Sequence, residues 1–208
     1  MKIKLPNIFL AKLFAALIPD KYNQDISFTQ SALVGKELVG ENVEVALIPS
    51  CDLLAHPNLF VSKHYGISCN GMLSNAQIFY APSKKGISKI GLYGDVTSNE
   101  IILPRIIYPE KFSSEIKITL ETKAPDLSET NIIVVGDKNY DDEYFNKGMS
   151  FAEEMSELMT FPYVNFVLAA KDDSFLAELC LDIEEANIKL EDVLPNFLEK
   201  SGLSLEKQ

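Results

Sequence analysis

Small polar residues recur where the apolar segments of this chain end. Their hydroxyl, amide and carboxyl groups could hold a small organic ligand, because such ligands bind at the carboxyl ends of strands in α/β sheets and at helix starts. Turns and helix caps prefer the same residue types, so the recurrence matters more than any single position. The candidates are Asn7, Ser50, Ser68, Asn70, Ser74, Thr97, Ser98 and Asp137.

Several other kinds of catalytic or metal site are excluded by residue type and spacing. The sequence has no Ser/His/Asp order, no phosphate-binding loop and no dinucleotide-binding glycine pattern. His56 and His64 are the only histidines, which excludes a multi-histidine metal site. The three cysteines are widely spaced without a CxxC pair, which disfavours a disulfide framework and a zinc site. We therefore expect neither a metal nor a cofactor.

The charge balance and the first residues restrict the partners and the compartment. A net charge of -11 disfavours a nucleic-acid-binding surface and a polybasic membrane anchor. Residues 8–18 resemble a secretory signal, but Lys12 interrupts the apolar run and no A-x-A cleavage site follows. No window reaches the ~20 apolar residues of a membrane span. We expect a cytoplasmic protein that binds a small molecule, without nucleic acid or membrane-spanning segments.

The polar candidates must be positioned by the elements that precede them. Residues 43–48 are almost entirely apolar, which is typical of a strand buried on both faces of a parallel sheet. Strands at 2–5 and 26–29 and helices at 8–17 and 31–39 precede it, and this β-α-β-α-β order predicts parallel pairing. Asn7 is then predicted to cap the first helix, and Ser50 can cap the helix that follows residues 43–48.

A second turn of interest covers residues 94–100. It joins a predicted strand at 87–93 to an apolar helix at 100–108, with Thr97 or Ser98 as the N-cap. Free N–H groups and hydroxyls would then meet at one point, which is an anion-binding arrangement. Pro104 is predicted to kink or shorten the helix.

Two long predicted strands bracket the middle of the chain and suggest two crossings between lobes. The predicted hinge strands lie near 75–81 and 162–169. One discontinuous lobe would contain residues 1–74 and 166–208, and the other residues 75–165. Two lobes would place a ligand cleft between them, with hinge closure as the expected motion.

Short segments in this order resemble the menaquinone-biosynthesis family that works through futalosine. The resemblance runs from about Lys2 to Lys171. It is carried by the Leu5-Pro6-Asn7 turn and by the segments VEVALIPSCDLL (43–54), GISCNG (66–71), DVTS (95–98), GD (136–137) and MTFPYV (159–164).

The resemblance implies an α/β, two-lobed fold like that of type 2 periplasmic binding proteins, with mixed sheets flanked by helices. One branch of the family dehydrates chorismate to 3-[(1-carboxyvinyl)oxy]benzoate without a cofactor. The other converts cyclic dehypoxanthine futalosine and relies on a histidine. Because this chain has no histidine after His64, it is more similar to the chorismate dehydratase branch.

The resemblance also implies roles for the candidates. Asn7 would act near the reacting ring as the catalytic residue, and Thr97 with Ser98 would bind a substrate carboxylate. Val96 stands where the family has an arginine, which removes a cation from that position. The remaining substrate contacts would come from Ser50, Ser68, Asn70, Ser74 and Asp137. The alternatives are a non-catalytic cytoplasmic module that binds a small carboxylate and, more weakly, a partner-binding remnant with an empty cleft.

Overall fold

The structure is a computed structural model that describes residues 1–40, 42–69, 71, 74–83, 86–112, 115–145 and 147–201. Asn70, one of the candidates, lies outside the described residues. The chain divides into two compact units, one made of Met1–Ile67 with Phe166–Gln208 and the other of Ser68–Asn165. The chain passes from one unit to the other between residues 67 and 68 and returns between residues 165 and 166.

Strands and helices alternate along much of the chain, as expected for an α/β protein. The described strands are β1 (Ile3–Pro6), β2 (Ile26–Thr29), β3 (Val45–Pro49), β4 (Phe60–Cys69), β5 (Ala76–Phe79), β6 (Lys89–Gly94), β7 (Lys117–Leu120), β8 (Ile132–Val135), β9 (Met149–Ser150) and β10 (Tyr163–Ala170). The α-helices are α1 (Phe9–Ala15), α2 (Ser31–Gly40), α3 (Ser98–Phe112), α4 (Phe151–Met159), α5 (Asp173–Ala186) and α6 (Leu190–Ser201). Short 3-10 helices cover Asp20–Tyr22, Ser50–Leu54 and Gly136–Tyr140.

The sheet of the first unit has the strand order β2-β1-β3-β10-β4. Strand β1 pairs in parallel with β2 and β3, which confirms the parallel pairing predicted from the β-α-β-α-β order. Strand β10 is antiparallel to β3, so the sheet is mixed. Val45 and Leu47 of β3 belong to one apolar cluster, and Ala46 and Ile48 belong to another. Both faces of β3 are therefore covered, which explains its unbroken apolar sequence.

The sheet of the second unit has the strand order β7-β6-β8-β5-β9 and is also mixed. Strand β6 is parallel to β7 and β8, whereas β5 is antiparallel to β8 and β9. All four residues of β8 are buried. Among the described residues, no helix is long and apolar enough to cross a membrane.

Two predicted caps are wrong. Helix α1 begins at Phe9 after Ile8, and no side-chain cap bond is made there. The backbone N–H of Asn7 instead donates to the carbonyl of Thr29 at 2.7 Å, so Asn7 continues the β1–β2 pairing. Ser50 is the first residue of the 3-10 helix that follows β3, so Pro49 and not Ser50 occupies the N-cap position.

The prediction that Pro104 kinks or shortens the helix at 100–108 is wrong about its length. Helix α3 continues to Phe112 with both Pro104 and Pro109 inside it. Each proline removes one backbone hydrogen bond. Ile107 and Tyr108, which lie between the two prolines, are buried, and this packing stabilises the helix there.

Candidate functional site

The first unit presents polar residues at one edge of its sheet. Because β1 and β3 are parallel neighbours, the residues that follow them, Asn7 and Ser50, come to the same edge. Asn7 is exposed and Ser50 is half-buried. This arrangement fits the strand-end position at which α/β proteins bind ligands.

A charged pair that the sequence did not reveal lies between β1 and α2. Lys4 Nζ is 2.9 Å from Glu37 Oε2, and Thr29 Oγ1 donates to Glu37 Oε1 at 2.9 Å. Burial raises the pKa of Glu37, but the hydrogen bonds from Lys4 and Thr29 outweigh it, so the net direction is downward. Glu37 is therefore ionised and balances the charge of Lys4. Residues this far apart in sequence give no local signal of such a contact.

The second unit also gathers polar residues at one sheet edge. Strands β6 and β8 are parallel and β5 is antiparallel to β8, so the ends of β6 and β8 meet the start of β5. The turns are joined there by hydrogen bonds from Asp95 N to Val135 O at 3.2 Å and from Gly136 N to Asn75 O at 2.7 Å. Four of the candidates flank these strand ends, namely Ser74, Thr97, Ser98 and Asp137.

Gly94 allows β6 to end tightly against β8. Its φ is +108°, and a Cβ atom placed there would lie 2.1 Å from the carbonyl oxygen of Val135. Only glycine fits both conditions. The turn that leads to Thr97 and Ser98 therefore depends on this residue.

Two of the serines hold backbone groups in the structure. Ser74 Oγ accepts hydrogen bonds from Ala76 N at 3.2 Å and from Ala152 N at 3.1 Å, so it joins β5 to the first turn of α4. Ser68 Oγ donates to the carbonyl of Tyr163 at 3.3 Å, which joins β4 to β10. Ser68 and Asp137 are exposed, whereas Ser74 is half-buried.

The start of α3 is closed by a capping box. Asn99 N donates to Thr97 Oγ1 at 3.2 Å, which confirms Thr97 as the N-cap. The N–H and the hydroxyl of Thr97 both donate to Glu100 Oε2, at 2.9 and 2.7 Å. The prediction of free donors is therefore wrong for Thr97, because the protein's own carboxylate uses them. Thr97 and Glu100 are both 0% exposed.

A buried amide network continues from this cap to the start of β10. Asn99 Nδ2 donates to both the backbone oxygen and the Oδ1 of Asn165, each at 2.8 Å. Tyr163 OH donates to the same Oδ1 at 3.4 Å. Two buried atoms of this cluster, Glu100 Oε1 and Asn165 Nδ2, have no hydrogen-bond partner. The pattern Thr-x-x-Glu could have revealed the cap from the sequence, but nothing local pointed to Asn165.

The groups beside Asp137 are suited to packing rather than to acid–base work. Burial, with the Asp137 charge adding to it, raises the pKa of Tyr140 to about 12. Burial also raises the pKa of the Cys69 thiol, so Cys69 stays protonated and is a poor nucleophile. Among the described residues, no group of three or more His, Cys, Asp or Glu side chains could hold a metal ion.

Comparison with known proteins identifies the fold. No protein-family model matches the sequence. No curated protein sequence matches it significantly either. The chain is similar in structure to protein AF1704 from Archaeoglobus fulgidus, with 14% identity, a TM-score of 0.57, and coverage of 99% of this chain and 84% of AF1704.

Two further similar structures are ligand-binding proteins by name. The aliphatic sulphonate binding protein SsuA from Escherichia coli has 16% identity, a TM-score of 0.56, and coverage of 98% of this chain and 79% of SsuA. The methionine binding protein MetQ has 13% identity, a TM-score of 0.52, and coverage of 96% and 95%. The chain thus has the mixed α/β, two-lobed fold of periplasmic binding proteins, as predicted.

Proposed function

We propose that this chain binds a small organic carboxylate and dehydrates it as a chorismate dehydratase does. One observation carries the proposal: in each unit, polar side chains gather at the sheet edge where this class of fold binds ligands. The resemblance to the futalosine-pathway family supplies the identity of the substrate. The shared fold with sulphonate- and methionine-binding proteins supports the binding of a small molecule.

In this proposal, Asn7 is the catalytic residue and positions the reacting ring. Its exposed side chain at the end of β1 is available for such a contact. Ser50, Ser68, Asn70 and Asp137 would contribute further contacts, with Ser74 and Thr97 supporting them through the backbone. Ser98, half-buried in the first turn of α3, is the better-placed ligand contact of the Thr97–Ser98 pair.

Dehydration of chorismate breaks one ring C–H bond and one C–O bond. The C–H electrons form the double bond that makes the ring aromatic, the hydroxyl leaves, and the proton and hydroxide together yield water. None of the candidate hydroxyl and amide groups is a strong base. We therefore propose that the chain acts mainly by positioning, with a carboxylate of the substrate itself as the proton acceptor.

A second function, a binding module without turnover, is favoured by the start of α3. Thr97 has both of its donors engaged with Glu100, and Val96 stands in place of the family's arginine. Both features weaken the hold on a substrate carboxylate that the resemblance assigns to this turn.

The test is incubation of the purified protein with chorismate, followed by mass spectrometry. Loss of one water beyond a protein-free control supports the dehydratase. A raised melting temperature without loss of water supports the binding module instead. If chorismate neither reacts nor raises the melting temperature, both functions are wrong.

A further inference from the structure

A cavity of about 290 Å³ opens on the first unit, at the opposite edge of its sheet from Ser50. Strand β10 is antiparallel to β3, and Ala170 at the end of β10 pairs with Val45 at the start of β3. Lys171 follows Ala170 and therefore lies at the edge where β3 begins, whereas Ser50 lies where β3 ends. The walls come from the end of α2, the loop before β4 and the residue after β10, namely Val39, Ala55, His56, Pro57, Asn58, Leu59 and Lys171.

The walls of this cavity are anchored in the core of the first unit. Leu38 precedes Val39 in α2, Ala170 precedes Lys171 in the chain, and both Leu38 and Ala170 are 0% exposed. Leu59 packs against the apolar cluster that contains Leu38. Because these elements are held by the fold itself, a ligand does not have to order them when it binds.

The residues around the cavity combine an apolar surface with hydrogen-bond donors and a positive charge. Val39 and Leu59 are apolar, Lys171 carries an ammonium group, and the side chains of His56 and Asn58 carry N–H donors. Among the described residues, none of those that line the cavity is acidic, although the whole chain has 30 Asp and Glu against 19 Lys and Arg. This composition favours a ligand with an apolar body and an anionic group.

Two features of the cavity oppose an anion, and both are weaker than the charge of Lys171. The last turn of α2 carries about half a negative charge through the helix dipole, which is less than the full charge of an ammonium. Lys171 also interacts with another group of the chain. An ammonium has three N–H donors, so it can serve that group and a ligand together.

We propose that this cavity binds a small organic anion, a single apolar ring that carries one carboxylate. The carboxylate accepts from the ammonium of Lys171 and from the N–H donors of His56 and Asn58, while the ring packs against Val39 and Leu59. The volume of about 290 Å³ is close to the lower end of the ~300–1,000 Å³ usual for small-molecule pockets, which suits a single ring. The site is additional to the sheet edges at which we propose that the chorismate-like substrate binds.

Benzoate and benzamide test the proposal, because they share a shape and differ in charge. Each is titrated into the isotopically labelled full chain near neutral pH. The backbone amide signals of Leu59 and Lys171 locate a ligand in the cavity, and those of Asn7 and Ser50 report on the other edge of the sheet. We expect benzoate to bind in the cavity about tenfold or more tightly than benzamide, because charge-assisted hydrogen bonds are roughly twice as strong as neutral ones.

Lys171→Met is the informative variant, because methionine keeps an apolar side chain and removes the charge. We expect the affinity for benzoate to fall by about tenfold and the affinity for benzamide to stay unchanged. Lys63→Met makes the same substitution at an exposed position of β4 that is not among the lining residues. This control should leave both affinities unaltered.

The two histidines of the chain provide a second readout. His56 lines the cavity, whereas His64 lies exposed on β4. We expect benzoate to move the imidazole signals of His56 and to leave those of His64 in place. His64→Gln removes one set of signals and so assigns the other.

Four results would overturn the proposal. They are equal or tighter binding of benzamide, an unchanged benzoate affinity in Lys171→Met, unmoved signals of Leu59 and His56, and benzoate shifts confined to Asn7 and Ser50. The chorismate experiment is read separately, because Lys171 has no part in the proposed dehydration. Absence of turnover contradicts the dehydratase proposal without touching the benzoate result, and the reverse also holds.

Discussion

Glu100 combines a structural role with an electrostatic one. Its carboxylate holds the N-cap of α3 through Thr97, while complete burial disfavours its ionised form. A buried carboxyl without a cationic partner is a common feature of functional sites, although structural networks also produce it. The resemblance implies that Thr97 helps to bind a substrate carboxylate. In the structure, the N–H and the hydroxyl of Thr97 donate to Glu100 instead.

Glu100 should make the folded chain less stable as the pH rises. Its pKa in the folded state lies above the ordinary value of 4.5, so the folded state binds the proton more tightly than the unfolded state. The free energy of unfolding therefore decreases as the pH rises from about 4.5 through the folded-state pKa. Glu100→Gln should lack this decrease.

Thermal unfolding between about pH 4.5 and about pH 8 measures the difference. We expect Glu100→Gln to gain in melting temperature over the unaltered chain as the pH rises, by roughly 2–4 °C for each kcal/mol at this chain length. Glu110→Gln makes the same substitution at an exposed position of α3 and is the matched control. A gain that stays the same at every pH would contradict the assignment to Glu100.

Asn7→Ala tests the proposed catalytic residue. The side chain of Asn7 is exposed and makes no helix cap, so its loss should leave the melting temperature within about 1 °C. Chorismate dehydration should fall by about a hundredfold or more if this amide positions the ring. Undiminished turnover in a folded Asn7→Ala variant would contradict the role of Asn7.

At the scale of elements, the sheet edges depend on tight turns that are held by backbone hydrogen bonds. The turn after β6 requires glycine at position 94. Gly94→Ala would force a positive φ on alanine and place its Cβ against the Val135 carbonyl. We expect a loss of several °C in melting temperature, or failure to fold, in thermal unfolding of the purified variant. Gly40→Ala, where no atom lies within 4 Å of the added Cβ, is the matched control and should remain close to the unaltered chain.

Ser74→Ala separates a structural serine from a ligand contact. Its hydroxyl accepts from Ala76 N and Ala152 N, so its loss leaves two backbone donors of β5 and α4 without this partner. We expect a loss of about 1–3 kcal/mol in the free energy of unfolding, measured by denaturant titration. Ser68→Ala removes an exposed hydroxyl with a single bond and should cost less than Ser74→Ala. Equal losses would contradict this ranking.

Local patterns were sufficient for most elements. The unbroken apolar run of β3 could be predicted from neighbouring residues, and the strand predicted at 26–29 has the bounds of β2. Features that depend on distant segments could not be predicted from neighbouring residues. Strand β4 continues through Gly66 to Cys69, and a Cβ at Gly66 would lie 2.6 Å from the carbonyl oxygen of Phe166. That close approach depends on β10, about a hundred residues away along the chain.

At the scale of the whole molecule, the order of elements and the resemblance together predicted the two-lobed α/β fold. The similar solved structures bear this out at 13–16% identity, a level that supports the fold alone. In a fold of this kind, the identity of the ligand depends on a few side chains at the site, which can change without disturbing the architecture. This is why the fold follows from the sequence more readily than the substrate does.

Titration of the isotopically labelled chain with chorismate, followed through its backbone amide signals, tests the central claim most directly. We predict saturable shifts for Asn7 and Ser50 in the first unit and for Ser98 and Asp137 in the second. Asn7→Ala should weaken the shifts of the first unit, where its amide would contact the ligand. Shifts confined to α5 and α6, or no saturable shift at all, would contradict the claim that these sheet edges bind the ligand.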